Sequence, residues 1–180
     1  MSDVAAHEKC SLLLGCGNRR DRRIGLPGDE PEWGLLITLD IDPATGCDVQ
    51  HDLNVLPYPF WSNQFDEIAA YEVLEHCGTQ GDWRFFFGQF DELHRILKPG
   101  GMLFATVPSL SSPWAWGDPG HTRVIPPAML GFLDRSEYEK QVGHTPMTDY
   151  RAVYRGDFEI VASEDDGNGH RFALRARKQE

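Results

Sequence analysis

Three short stretches of the chain combine residue type and position in a way that bears on chemistry. Gly15-Cys16-Gly17-Asn18 follows an apolar run, and two glycines one residue apart let the backbone turn tightly and bring its N–H groups to a ligand with no Cβ in the way. Asp40 closes the next apolar run, where a carboxylate can accept hydrogen bonds from the vicinal hydroxyls of a ribose. Asp52 follows a third, shorter run, where a carboxylate can accept from an exocyclic amine. Hydrogen bonds to a charged acceptor contribute about 1.5–3 kcal/mol each, enough to orient a nucleoside. Each feature alone has an ordinary alternative: a chance G-x-G loop, a turn aspartate beside Asp42-Pro43, an N-cap or Asx-turn aspartate. Glycine turn, acid, acid, each following an apolar strand, is the layout of a nucleoside site and outweighs the separate alternatives.

The elements that must position these residues are legible from pattern. Cys10–Gly15 and Leu35–Asp40 are too short for helices and lack polar alternation, so they read as buried parallel strands. Cys47–Gln50 is a short third strand and Phe65–Tyr71 a fourth. Asp82 stands where it can N-cap a helix running to about Leu97, with Phe86, Phe90, Leu93 and Leu97 at helical spacing against the sheet. Lys98-Pro99-Gly100-Gly101 stops that helix, and Met102–Val107 is the next buried strand. Between Asn18 and Gly34, Gly25, Pro27, Gly28 and Pro31 interrupt any apolar face, so no crossover helix is expected there. Pro108–Pro127 is a long loop carrying Trp114 and Trp116. Short helices are expected near Pro127–Leu133 and Ser136–Gln141, the second with a capping box from Ser136 to Glu139. Phe158–Ser163 and Arg171–Ala176 flank the turn-rich Asp165–Gly169 tip as a terminal hairpin. The expected fold is α/β: a Rossmann-like open sheet, mostly parallel with an antiparallel terminal hairpin, in one domain over 1–180 whose 108–150 segment is a substrate-covering insertion.

Composition narrows the function. With 17 Lys plus Arg against 28 Asp plus Glu, the formal charge of -11 repels phosphate backbones, so general nucleic-acid binding is not expected. Arg19, Arg20, Arg22 and Arg23 form a short basic cluster, read as a solvated loop with anion capture the minority reading. No window approaches the ~20 apolar residues of a membrane span, and the first residues have no signal-peptide character, so a cytoplasmic location is expected. Cys10, Cys16, Cys47 and Cys77 form no C-x-x-C pair, which leaves free thiols and no expected metal site.

Here the sequence resembles the class I S-adenosylmethionine-dependent methyltransferases. LLLGCGN resembles their glycine motif, LITLDIDP their ribose-binding acid, and HDLNVLPYPFWSNQFDEIAAYEVLEH the stretch that covers the adenine contact and the fourth strand. ILKPGGMLFATVP resembles their loop and fifth strand, and the likeness runs over roughly Leu12–Pro108. The resemblance implies S-adenosyl-L-methionine as cofactor, a small-molecule or biosynthetic acceptor and in-line methyl transfer. It implies that Gly15, Cys16, Gly17 and Asn18 line the methionine end, Asp40 holds the ribose, Ile41 touches the adenine, and Asp52 and Leu53 meet its amine and ring. Tyr71 and Glu72 would flank the sulfonium, a cation favoured beside acids and carbonyls. Two departures stand out: the motif's third glycine falls at Arg19, and no helix follows the glycine turn.

Outside the cofactor motifs, His121 in the long loop is the first choice for a substrate-facing base, although a surface histidine is about as fitting. His76 is more simply a hydrogen-bonding histidine that fixes a loop. Arg123 is suited to an acidic acceptor or to pairing with a carboxylate, and Trp114 and Trp116 to stacking on a planar or sugar substrate or to covering the core edge. Two other functions share parts of this layout. A cofactor-binding or interaction protein that kept the fold without catalysis accommodates Arg19 and the missing helix. An NAD-dependent dehydrogenase shares the early glycine–acid order but leaves L-E-H and L-K-P-G-G unexplained.

Overall fold

A computed structural model describes residues 8–30 and 32–178. Its seven strands form one sheet: β1 (Cys10–Leu14), β2 (Leu35–Asp40), β3 (Val49–Gln50), β4 (Phe65–Tyr71), β5 (Leu97–Pro108), β6 (Phe158–Asp165) and β7 (Gly169–Ala176). Their order across the sheet is β3-β2-β1-β4-β5-β7-β6. The first five pair in parallel, whereas β7 runs antiparallel to both β5 and β6. This is the mostly parallel α/β sheet with an antiparallel hairpin that the apolar runs indicate. The order reverses between β1 and β4, so the loops after these strands open onto the crevice where ligands bind in such sheets.

Because β1 is covered on both faces, its residues alternate between two apolar clusters. Leu12 and Leu14 join the larger one with Leu39, Ile68 and Leu103, under the aromatic face of α1 (Trp83–Ile96). Leu13 points the other way, with Ala69, Tyr71 and Phe104, and this cluster is covered by Ile24, Leu26 and Trp33 from the irregular 17–34 segment. Among the described residues of this segment no helix forms, in keeping with its glycines and prolines. Side chains anchor the segment instead: Trp33 Nε1 donates to Arg20 O at 2.6 Å, and the Tyr71 hydroxyl accepts from the N–H groups of Arg23 and Ile24, both at 3.3 Å.

The solvated reading of the arginine cluster fails at Arg22. Its guanidinium is buried and grips Glu67 of β4 through two bonds, Nε to Oε1 at 2.9 Å and Nη2 to Oε2 at 2.7 Å, while Nη2 also meets Asp29 at 3.1 Å. Arg20 donates to the carbonyls of Gly17 and Thr45. The segment is thus tied to the sheet by charge and by acceptors that neighbouring elements lend to its own donors.

The helix α1 begins at its N-cap Asp82, whose side chain accepts from Phe85 N, and buries Phe86, Phe90 and Leu93. Lys98–Gly101 is drawn into β5 as a bulge: Leu97 faces Phe65, Met102 faces Glu67, and Gly100 takes φ +74°. Three short helices follow: α2 (Trp114–Gly117), α3 (Pro127–Leu130) and α4 (Arg135–Gln141). The expected capping box at Ser136 does not form, because Asp134 caps α4 two residues earlier by accepting from Ser136 N at 2.9 Å. All four cysteines are free thiols.

Candidate functional site

At the carboxyl end of β1, Gly15 and Gly17 both have left-handed backbones, φ +56° and +48°, for different physical reasons. A Cβ on Gly15 would strike Val73 at 2.3 Å, so this glycine is needed for packing. A Cβ on Gly17 would meet nothing within 4 Å, so its backbone faces open space. Gly17 N–H donates to Asp40 Oδ2 at 2.8 Å, and Asp40 Oδ1 accepts from Asp42 N at 2.9 Å. The acid at the tip of β2 therefore fixes the glycine turn. His51 N donates to Asp40 O at 2.9 Å and brings the residue before Asp52 against the same strand tip. Asp52 itself makes an Asx turn, its Oδ1 accepting from Asn54 N. Leu53 is buried, whereas the Ile41 side chain stands in solvent at 61% exposure beside the acid.

The structure thus gathers Gly15, Gly17, Asn18, Asp40, Ile41, Asp52 and Leu53 at the adjoining ends of β1, β2 and β3. Cys16 points into the smaller apolar cluster, so only its backbone is turned to the crevice side. The Tyr71 ring is turned beneath the 17–34 segment, and its hydroxyl is engaged there; burial raises that hydroxyl's pKa. A side-chain role for Tyr71 beside a sulfonium is therefore replaced by a structural one. Glu72 remains exposed at φ +54° and borders a hollow of about 250 Å³ with Arg23, Thr106, His170 and Arg171.

A second group of polar residues lies beyond the tip of β4. Leu74–His76 forms a single 3₁₀ turn, and the long loop after β5 folds over it: Thr122 N donates to Glu75 O at 2.9 Å. His76 Nδ1 bonds to Gly120 O at 3.0 Å and His121 Nδ1 to Trp114 O at 2.8 Å. The two imidazoles cross edge to face, centroids 4.6 Å apart. His121 Nε2 faces Glu75 Oε1 at 4.0 Å and Asp118 Oδ2 at 3.9 Å. Glu75 is 1% exposed, and neither carboxylate oxygen meets a hydrogen-bond partner of normal geometry among the described residues. Burial above all, with the charge of Glu72 adding to it, pushes its pKa up to about 8. Sequence reasoning picked out both histidines but missed Glu75: L-E-H carries the residue, and nothing in the string tells that the glutamate turns inward.

Arg123 does not present an open anion site. It is buried, its Nε donates to Leu74 O at 2.9 Å, its Nη2 to Gln89 Oε1, and its charge lies over the rings of Phe85 and Phe86. It forms part of the wall of an aromatic cavity of about 190 Å³ between α1 and α3, with Trp83, Phe87, Phe132 and Tyr150. Trp114 and Trp116 of α2 are 68% and 58% exposed, while Ala115 between them anchors the helix inward.

Comparison with known proteins agrees with this architecture. Residues 38–105 match a family model described as a methyltransferase domain. Over 117 residues the chain is 25% identical to a sterol 24-C-methyltransferase from Pneumocystis carinii, a stretch covering 65% of this chain and 27% of that protein. The chain thus spans only about a quarter of the curated relative it matches. Among solved structures, a SAM-dependent methyltransferase from Archaeoglobus fulgidus superposes with a TM-score of 0.56 at 13% identity, covering 94% of this chain and 86% of that one. The N-methyltransferase NodS from Bradyrhizobium japonicum, solved in complex with S-adenosyl-L-homocysteine, gives 0.55 at 14% identity, covering 95% and 79%. Among the described residues no helix is long and apolar enough to cross a membrane.

Proposed function

We propose that this chain, a member of the class I S-adenosylmethionine-dependent methyltransferases by its fold and its methyltransferase domain, binds S-adenosyl-L-methionine across β1–β3 and methylates a small-molecule acceptor in line. The observation that carries the reading is the Gly17–Asp40 contact. A glycine whose backbone faces open space and a strand-tip carboxylate are locked together at 2.8 Å, with an exposed isoleucine next in sequence. Each Asp40 oxygen already accepts one backbone N–H, and a carboxylate has about four acceptor sites, so capacity remains for ribose hydroxyls.

When bound, S-adenosylmethionine supplies an activated methyl group on a cationic sulfur. The chain's own residues orient and enclose. Asp40 and the Gly15–Asn18 backbone fix the nucleoside and methionine ends, Ile41 and Leu53 offer apolar walls for the base, and Asp52 accepts from its amine. Glu72, exposed at the tip of β4, adds negative charge near a cation. The 108–150 segment, with Trp114 and Trp116 at its outer surface, serves as the acceptor-covering insertion that excludes water. A cytoplasmic setting is part of the same reading.

The test is calorimetric titration of the full chain with S-adenosylmethionine. Asp40→Ala should weaken binding at least about tenfold, as expected for the loss of one or two charge-assisted hydrogen bonds. Asp42→Ala, which removes only the cap of the 43–45 turn, should change it little. Equal losses in the two variants, or no binding by the parent protein at millimolar cofactor, would overturn the assignment.

A further inference from the structure

We propose that Glu75, His76 and His121 bind a divalent first-row transition cation, zinc or manganese, beside the tip of β4. One ligand atom from each lies within 4.8 Å of the other two. Two donors held about 2.1 Å from an ion are separated by roughly 3.0–4.2 Å, so the 4.0 Å between His121 Nε2 and Glu75 Oε1 already suits a shared ion. Closing the widest pair takes about half an ångström of side-chain movement.

Three independent features point to a cation. The first is the Glu75 carboxylate: almost wholly buried, with neither oxygen hydrogen-bonded among the described residues, it lies where a charge is costly unless paired. The neighbouring cation Arg123 does not satisfy it, because its described hydrogen bonds go to Leu74 O and Gln89. The second is the orientation of the imidazoles. In both, Nδ1 is engaged by a backbone carbonyl, Gly120 O for His76 and Trp114 O for His121. That bond places the proton on Nδ1 and leaves the Nε2 lone pair free for an ion, which is the outer-shell support that metal-binding histidines ordinarily have. The third is access: Glu75 is buried, but His76 is exposed, so the cluster opens to solvent on one side. An ion can enter there and keep coordination positions for water or another ligand. Asp118 Oδ2, 3.9 Å from His121 Nε2, supplies a further oxygen at the rim.

Two imidazoles and one carboxylate favour zinc or manganese over magnesium, which prefers oxygen ligands. The site stands whether or not the chain binds S-adenosylmethionine. Its use is the part that rests on the methyl-transfer reading: an ion with open positions at the sheet tips can hold and acidify an oxygen acceptor. His121 then acts as a ligand, not as the base that the sequence suggests.

The experiment titrates Zn²⁺, Mn²⁺ and Mg²⁺ into the chelator-treated full chain by calorimetry, with Co²⁺ absorption as a spectroscopic check on the donors. The expected result is one Zn²⁺ or Mn²⁺ per chain, bound more tightly than Mg²⁺. Glu75→Gln and His121→Ala should each weaken it by about tenfold or more, whereas His144→Ala, an exposed histidine elsewhere, should not. His76→Ala, at an exposed position, loses the bond to Gly120 O and the ring contact with His121, and serves as the folded variant if Glu75→Gln does not fold. Failure of the parent chain to bind these ions at millimolar concentration, or equal affinity in parent, His76→Ala and His121→Ala, would overturn the proposal. S-adenosylmethionine is titrated separately. Lost metal binding with retained cofactor binding overturns this site alone, and lost cofactor binding with retained metal binding overturns only the methyl-transfer reading.

Discussion

The ion pair between Arg22 and Glu67 is where the unusual loop of this protein can be tested most sharply. Both side chains are nearly buried, 7% and 6% exposed, and the guanidinium holds both carboxylate oxygens. Removing one member of a buried pair typically costs about 3–5 kcal/mol, because the remaining charge is stranded. The two single substitutions should differ. Arg22→Met strands Glu67, whose side-chain hydrogen bonds among the described residues all come from Arg22, and should lie near the upper end, about 4–5 kcal/mol. Glu67→Met leaves Arg22 with Asp29 at 3.1 Å and with the rings of Trp33 and Phe104 below 6 Å, and should lie near about 3 kcal/mol. Replacing both by methionine removes both charges together and sets two apolar chains beside the Trp33 and Phe104 rings. The double variant should then be no worse than Glu67→Met, a coupling at least as large as the Arg22→Met loss, about 4 kcal/mol or more. Urea unfolding followed by tryptophan fluorescence measures all four proteins, and Trp33 sits in the loop itself. Additive losses, or a larger cost for Glu67→Met than for Arg22→Met, would refute the argument that this pair anchors the segment.

Three more outcomes follow from burial and backbone geometry. Gly15→Ala should destabilise the fold by about 2 kcal/mol or more, since a Cβ meets Val73 on top of the left-handed strain; Gly17→Ala, facing open space, should cost about 1 kcal/mol in stability yet weaken S-adenosylmethionine binding. Matching melts and titrations for the two variants would count against the distinction. Burial pushes the hydroxyls of Tyr58 and Tyr154 well above their ordinary value, so the native state keeps protons that the unfolded chain releases above about pH 10. Their contribution is complete below that pH and is lost as pH rises, by up to about 1.4 kcal/mol per pH unit for each tyrosine. The buried thiol of Cys77, also raised by burial, acts in the same sense from about pH 9, and Lys178, pushed down to about 8 by burial, opposes them until the unfolded lysine titrates near 10. Urea midpoints at pH 8 and 11 should therefore differ, the alkaline one lower, and equal midpoints would be the contrary result. Finally, the Tyr154 hydroxyl is buried with no hydrogen-bond partner among the described residues, so Tyr154→Phe should leave stability unchanged or raise it by about 1–2 kcal/mol; a loss beyond 1 kcal/mol in the same urea assay would show a hidden partner.

How much of this was readable beforehand divides along physical lines. Strands β2 and β4 lie over the same residues that their apolar runs indicate, and α1 begins at the expected Asp82, because burial on both faces and a cap both leave local signatures. That the described residues between β1 and β2 form no helix was equally visible in Gly25, Pro27, Gly28 and Pro31. What replaces that helix was not visible, because a buried Arg22–Glu67 pair joins residues 45 positions apart and each looks like a surface charge in the string. The same limit explains the two misjudged side chains: Tyr71 and Arg123 have the right chemistry for a ligand, but tertiary partners had already claimed their polar atoms. Glu75 is the converse case. A glutamate before a histidine reads as an ordinary solvated acid, and only the loop that returns after β5, bringing His121 to within 4.0 Å, sets this buried carboxyl group beside a second imidazole. Local pattern thus specifies where the sheet tips are, while long-range pairing decides which polar groups at those tips remain available to a ligand. That division is why the glycine–acid–acid order marked out residues that meet at the β1 and β2 tips, whereas the Glu75–His76–His121 cluster emerged only from the fold.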